Sequence, residues 1–258
     1  MFGQKKHNAW FFDSSIHLEA VSRLMYLVEV NEPFGVVCGA DGSGRTRILT
    51  RVRQETERIG RQVVALNVAG LDETAALTGL VTSVSSSARR NMKRNELVSL
   101  LRDEIDGRSH CGVHSVVLID DFHRADGDLE SFLRILTALN SSASTSGNQG
   151  KLTVIVASDR PLTNGLSVES LLQIRLTPLD SVESSEFVRS LARRQGIADS
   201  ILQDSTIAAI HQLSRGNTAR MTRVCELLGV LHEASPETMI NTETVSAVIQ
   251  ELSPRAVA

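Results

Sequence analysis

The chain has 258 residues, enough for one large domain or for a core domain with a smaller companion. Apolar residues make up 41% and charged residues 22%, a balance that supports a sizeable core, and no apolar run reaches the length of a membrane span. The net charge of −3 provides no bulk attraction for nucleic acid or an anionic membrane. Lys5 and Lys6 precede only the short apolar stretch Ala9-Trp-Phe-Phe12, which is too brief for a secretory signal. Cys38, Cys111 and Cys225 are scattered in apolar contexts. They read as buried thiols of a reducing compartment, neither a disulfide framework nor a metal site, and the expected location is cytoplasmic.

Taken in chain order, residues 15–30 have the periodicity of an amphipathic helix. Phe34, Val36 and Val37 form a short apolar run, expected as a buried strand, that ends in the glycine-rich stretch Gly39-Ala-Asp-Gly-Ser-Gly-Arg-Thr46. A helical pattern follows, with Ile48, Leu49, Val52 and Ile59 on one face. Gln62–Val68 reads as a second strand, and helical patterns cover about 72–88 and 95–106. Ser115-Val-Val-Leu-Ile-Asp-Asp121 is an apolar strand closed by two acids, and a helix is expected over about 128–140. Ser141–Gly150 is a low-complexity connector. Leu152–Ala157 is another buried strand and Ile174–Leu176 a short last one. From Ser181 amphipathic helices run to Leu252 with no convincing strand. Alternating strands and helices followed by helices alone imply an α/β domain with a parallel sheet over residues 1–178 and a helical lid over 179–258.

Two of these segments carry chemistry. Gly39, Ala40, Asp41, Gly42, Ser43, Gly44, Arg45 and Thr46 fit G-x-x-x-x-G-[basic]-[Ser/Thr], placed between a strand and a helix start as the motif requires. Glycines let successive backbone N–H groups turn inward on a polyphosphate, and the helix N-terminus adds partial positive charge. Thr46 would offer its hydroxyl to Mg²⁺. The paired acids after the strand at 115–120 strengthen the reading, because in P-loop ATPases the first, here Asp120, supports Mg²⁺. The second position polarises the attacking water, and here it is Asp121.

With these motifs in place the chain resembles AAA+ ATPases of the general secretion pathway protein A type, a group related to bacterial transposition ATPases. Phe12, Ser14, His17, Glu19, Ala20 and Leu24 match that family's opening pattern. Leu176-Thr-Pro-Leu179 resembles its turn into the lid, Ser214–Glu226 its lid helix and Thr242–Val248 its closing helix. The resemblance implies a P-loop NTPase fold of the AAA+, ASCE type, with a parallel sheet sandwiched by helices and a small all-helical lid. It also implies ATP or ADP with Mg²⁺ as ligands, a protein partner in secretion or regulation, and assembly into homo-oligomers. Relatives in secretion commonly carry a transmembrane helix and a cell-wall-binding domain after the ATPase part. The chain to Ala258 has neither, as expected of a cytoplasmic regulator or the soluble part of a larger system.

The departures from the family pattern bear on the chemistry. Arg45 stands where the family has lysine, a non-conservative swap because a guanidinium is planar and fixed in its hydrogen-bonding directions. Asp121 replaces glutamate and shortens the carboxylate's reach by one bond, about 1.5 Å. In the lid helix Ala219 aligns with the nucleotide-sensing arginine, leaving neighbouring Arg220 as the candidate should the helix register differ. Asp159 takes the place of a neutral sensor at the end of the fourth strand. Two functions therefore stay open: a weak Mg²⁺-dependent ATPase acting through Arg45 and Asp121, or a hydrolysis-deficient module that responds to bound nucleotide. A DNA-linked helper of the transposition type is a third and rests on analogy alone. His123 and Arg124 fit either a D-E-A-H-like ending or a solvent-facing helix start. Arg89, Arg90, Lys93 and Arg94 read as a solvated helix end in preference to a nucleic-acid patch, since no aromatics are interleaved.

Overall fold

Five short segments become the strands of one parallel sheet in the computed structural model, which describes residues 10–89, 91–127, 129–141, 152–162, 172–235 and 240–252. The strands are β1 (Phe34–Cys38), β2 (Gln62–Asn67), β3 (Ser115–Asp120), β4 (Leu152–Ser158) and β5 (Leu172–Arg175), in the order β2-β3-β4-β1-β5. Every pairing is parallel, and helices carry the chain from β1 to β2, from β2 to β3 and from β3 to β4. The flanking helices are α1 (Ser15–Glu29), α2 (Arg45–Arg58), α3 (Glu73–Val84), α4 (Arg94–His110) and α5 (Glu130–Ser141).

Successive strand residues point to opposite faces, and the core divides accordingly. Val37, Val116, Leu118, Ile155 and Ala157 pack against Ala20, Leu24 and Leu27 of α1 and Ile48, Leu49 and Val52 of α2. Their neighbours Val36, Val117, Ile119, Val154 and Val156 pack on α3, α4 and α5 through residues such as Leu80, Leu101 and Phe132. Both faces of β1, β3 and β4 are thus covered, which explains their near-continuous apolar sequence. Gly35 lets α1 lie close: a Cβ there would meet Leu27 Cδ1 at 2.9 Å. Of the opening pattern, Ser14 and His17 are buried and share a hydrogen bond, Oγ to Nδ1 at 2.5 Å.

Several boundaries differ from the sequence expectation. Ile59 lies beyond the end of α2 and is exposed, while Thr56, fully buried, completes the helix's inner face in its place. α3 stops at Val84 instead of about 88, and α4 runs on to His110, where Gly112 at φ +73° turns the chain. β5 begins at Leu172 and ends at Arg175, although the N–H of Leu176 still donates to Cys38 O at 2.7 Å. Cys111 is exposed at the cap of α4, against the expectation of three buried thiols; Cys38 and Cys225 are buried. The connector expected at Ser141–Gly150 lies, after Ser141, outside the described residues.

The chain clusters into two compact units, one of Met1–Ala40 with Arg45–Leu176 and one of Thr177–Ala258 with Asp41–Gly44. The second is helical, with α6 (Ser181–Arg194), α7 (Asp204–Ser214), α8 (Thr218–Ala234) and α9 (Thr242–Leu252). A lone parallel bridge, Leu202 to Ile240, is its one piece of strand-like pairing among the described residues. Asp180 caps α6 by accepting from the Glu183 N–H, and Asn217 caps α8 by accepting from the Arg220 N–H, each satisfying a backbone donor at its helix start. Phe187, Leu191, Ile210, Met221, Leu228 and Val245 are buried within this unit, and no described helix of the chain is long and apolar enough to cross a membrane.

Candidate nucleotide-binding site

Parallel strands bring their carboxyl ends to one edge of the sheet, where ligands of open α/β sheets bind. Register places Cys38 opposite Ser158 and Arg175, and Asn67 opposite Asp120. The glycine-rich stretch leaves this edge after Cys38 and enters α2 at Arg45. Gly42 and Gly44 adopt φ +79° and +98°, values that favour glycine and let consecutive N–H groups converge.

Arg45, the first residue of α2, is buried at 7% exposure, so its donors need acceptors. Nη1 donates to the Gly39 carbonyl, and Nη2 lies 3.4 Å from His123 Nε2. The arginine is therefore folded across the root of its own loop towards the segment that follows the paired acids. Thr46, one residue on, is exposed.

Asp120 ends β3, and its Oδ1 accepts the N–H of Asp121 at 2.9 Å. Asp121 adopts the left-handed conformation (φ 54°, ψ 36°) ahead of a 3-10 turn, Phe122–Arg124. Its Oδ2 accepts from Asn67 Nδ2 at 2.9 Å, and Arg124 Nε lies 3.9 Å from its Oδ1. Thus one group joins Gly39, Arg45 and His123, and another joins Asn67, Asp120 and Asp121. A Mg²⁺ ion takes one or two carboxylates, a hydroxyl, waters and phosphate oxygens, a donor set that Thr46 and Asp120 fit.

Within the second unit, the loop tip lies at the start of α8. Asn217 Nδ2 donates to Asp41 O at 2.7 Å, Thr218 Oγ1 to Gly42 O at 2.6 Å, and the N–H of Ala219 to Gly42 O at 3.2 Å. Ala219 and Arg220 are both exposed in the first turn of α8. Asp159 is exposed after β4, 3.8 Å from Arg160 Nε.

Sequence reasoning singled out His123 without giving it a contact, and it missed Asn67. The signal for Asn67 was a polar residue ending a strand; its relation to Asp120 needs the β2–β3 register. Cys38 also borders the site, donating from Sγ to Ile174 O at 3.4 Å. Burial pushes its thiol pKa up, while Arg175 and Arg45 pull it part of the way back. The basic cluster is partly engaged in local contacts. Arg94 pairs with Glu73 at 2.6 Å, while Arg90 lies outside the described residues.

Comparison with known proteins agrees with this architecture. A family model described as an AAA domain matches residues 28–163. Among curated proteins none matches the chain in sequence. Solved structures are similar in fold. The Cdc6p structure from Pyrobaculum aerophilum has a TM-score of 0.69 at 14% identity, covering 95% of this chain and 69% of that one. Domain III of the replication initiation protein DnaA from Thermotoga maritima has a TM-score of 0.63 at 14% identity, with 93% and 94% covered. Drosophila ORC bound to DNA has a TM-score of 0.65 at 14% identity, with 98% and 71% covered. These likenesses show an AAA+ P-loop fold, with C-terminal helices consistent with a helical lid.

Proposed function

The chain belongs to the AAA domain family, and on that premise we propose that it binds ATP and ADP with Mg²⁺ and is a weak ATPase whose nucleotide state is passed to a protein partner. The observation that carries the reading is the loop at the carboxyl edge of the sheet, with Gly42 and Gly44 at positive φ and a helix beginning directly after it. Backbone N–H groups of Gly39–Gly44 would hold the phosphates, and the Arg45 guanidinium would add charge beside them. Thr46 and Asp120 would hold the metal, which supplies charge neutralisation and orientation of the phosphates when bound. Asp121 would orient water, working from a carboxylate that Asn67 draws towards β2. That hydrogen bond would hold the acid back and keep turnover slow.

The loop tip, Asp41–Gly44, belongs to the helical unit, so loop conformation offers a route by which the lid registers nucleotide. The opening and lid patterns favour a relative of the general secretion pathway protein A type, with homo-oligomerisation as in other AAA+ proteins. A hydrolysis-deficient nucleotide switch is the second reading, favoured by Ala219 and Asp159 at sensor positions. The DNA-linked reading draws on the Drosophila ORC structure, which holds DNA; retention of duplex DNA on a filter at modest salt would support it.

Single-turnover phosphate release from Mg·ATP, with protein in excess, tests the main reading beside the Asp120→Ala variant. Release that requires Asp120 is the expected result. Bound nucleotide without release would establish the switch, and absence of binding would overturn both.

A further inference from the structure

Arginine in this loop poses a packing problem. A lysine would bring one compact ammonium, whereas Arg45 brings five N–H groups in a fixed plane to a buried position. An arginine left loose there would sample orientations that block the phosphate path, and its buried donors would lack acceptors. Among the described residues, acceptors for the terminal nitrogens include the Gly39 carbonyl at the loop root and Nε2 of His123 at 3.4 Å. A guanidinium has no acceptor, so in this contact Nε2 receives the hydrogen bond. His123 can do this because Asp121, in the left-handed conformation, turns the chain into the 3-10 segment Phe122–Arg124 directly after β3. The contact spans 78 residues of sequence and ties the phosphate loop to the acid-bearing strand end.

We propose that His123 is a positioning residue that makes arginine workable in this phosphate loop, Arg45 and His123 forming a compensating pair. The inference rests on the nucleotide-binding reading above and adds a residue to it. His123 holds the guanidinium plane at the loop root, so that a polyphosphate meets an oriented cation. A lysine at position 45, with a flexible stem and rotatable donors, needs no such brace.

The test is a double-mutant cycle read by calorimetric titration of Mg·ADP into the full chain, with His123→Ala, Arg45→Lys, the double variant and His123→Gln. His123→Ala should weaken binding by about tenfold, the scale of one hydrogen bond to a charged group, and His123→Gln, which restores a neutral acceptor, should recover most of it. In the Arg45→Lys background His123→Ala should change affinity by less than about twofold, the additivity expected of groups that do not interact. Thermal melts without ligand establish that each variant is folded, and the glutamine variant keeps the test open should alanine unfold the turn. Equal losses in the two backgrounds, or no loss in either, would overturn the pair while leaving nucleotide binding in place. Failure of the unaltered protein to bind ADP or ATP would overturn the nucleotide reading and the pair together.

Discussion

Asn67→Ala should speed phosphate release. In the structure Asn67 Nδ2 donates to Asp121 Oδ2 at 2.9 Å and Asn67 Oδ1 accepts the Ala69 N–H at 2.9 Å. The first bond draws the acid towards β2; the second closes a local turn. Hydrogen bonds to charged groups contribute about 1.5–3 kcal/mol, but this pair lies near the surface, so about 1 kcal/mol is the apt figure. That bias corresponds to a carboxylate held on Asn67 about five times as often as it is released. Removing the amide therefore has a ceiling of about sixfold on a step that needs Asp121 elsewhere, far short of the hundredfold that a missing catalytic group would cost. Losing both hydrogen bonds should destabilise the unit by about 1–2 kcal/mol, a drop in Tm of a few degrees for a chain this long. The assay is single-turnover phosphate release at saturating protein, with a melt of the same sample. Asn67→Asp serves as a second variant: it keeps an oxygen for the Ala69 N–H but replaces the donor by a like charge, and should also release Asp121. Slower release in both variants would refute the reasoning, since the bond would then be presenting the carboxylate to water.

Two further outcomes follow from loop geometry and cysteine burial. Gly42→Ala should lower Tm and weaken nucleotide binding, because φ +79° costs an L-residue about 1–2 kcal/mol. Its Cβ would also fall 2.5 Å from Asn217 Oδ1 and 2.7 Å from Ala219 Cβ; an unchanged melt would show that the tip is not held at α8. Thiol titration of the native protein at pH 8 should modify Cys111 first. Burial, assisted by Glu226, pushes the Cys225 thiol up to about 12, and burial raises Cys38 too, so both should react only on unfolding; labelling of Cys225 at the rate of Cys111 would contradict the burial.

The legible parts of this fold were those governed by local physics. β1, β3 and β4 could be read because both of their faces are buried, and an apolar run bounded by polar residues has few other interpretations. β5 starts two residues earlier and ends one earlier than expected because an edge strand of mixed polarity leaves its ends to the neighbour's register. Ile59 was misplaced by extending a helical period past the point where Gly60, at φ +78°, ends the helix. The positions of the glycine-rich stretch between β1 and α2 and of the paired acids at the end of β3 were legible from the strand and helix patterns around them. Their neighbours were not: Asn67 meets Asp121 across 54 residues, and His123 meets Arg45 across 78. Such pairings depend on which strand lies beside which, information that periodicity does not carry.

These pairings also change how the departures from the family pattern should be weighed. Read singly, Arg45, Asp121, Ala219 and Asp159 suggest a site losing its function by independent steps. The structure divides them. Arg45 sits on two acceptors, and Asp121 takes a left-handed backbone that aspartate tolerates better than most residues, because its short carboxylate bonds locally. From there its Oδ2 accepts from Asn67 Nδ2 at 2.9 Å. Ala219 and Asp159 have no such accommodation: one gives the loop tip only a backbone N–H, the other stands exposed beside Arg160. The departures at the loop and at the paired acids are thus tied into local contacts, while those at Ala219 and Asp159 stay at exposed positions.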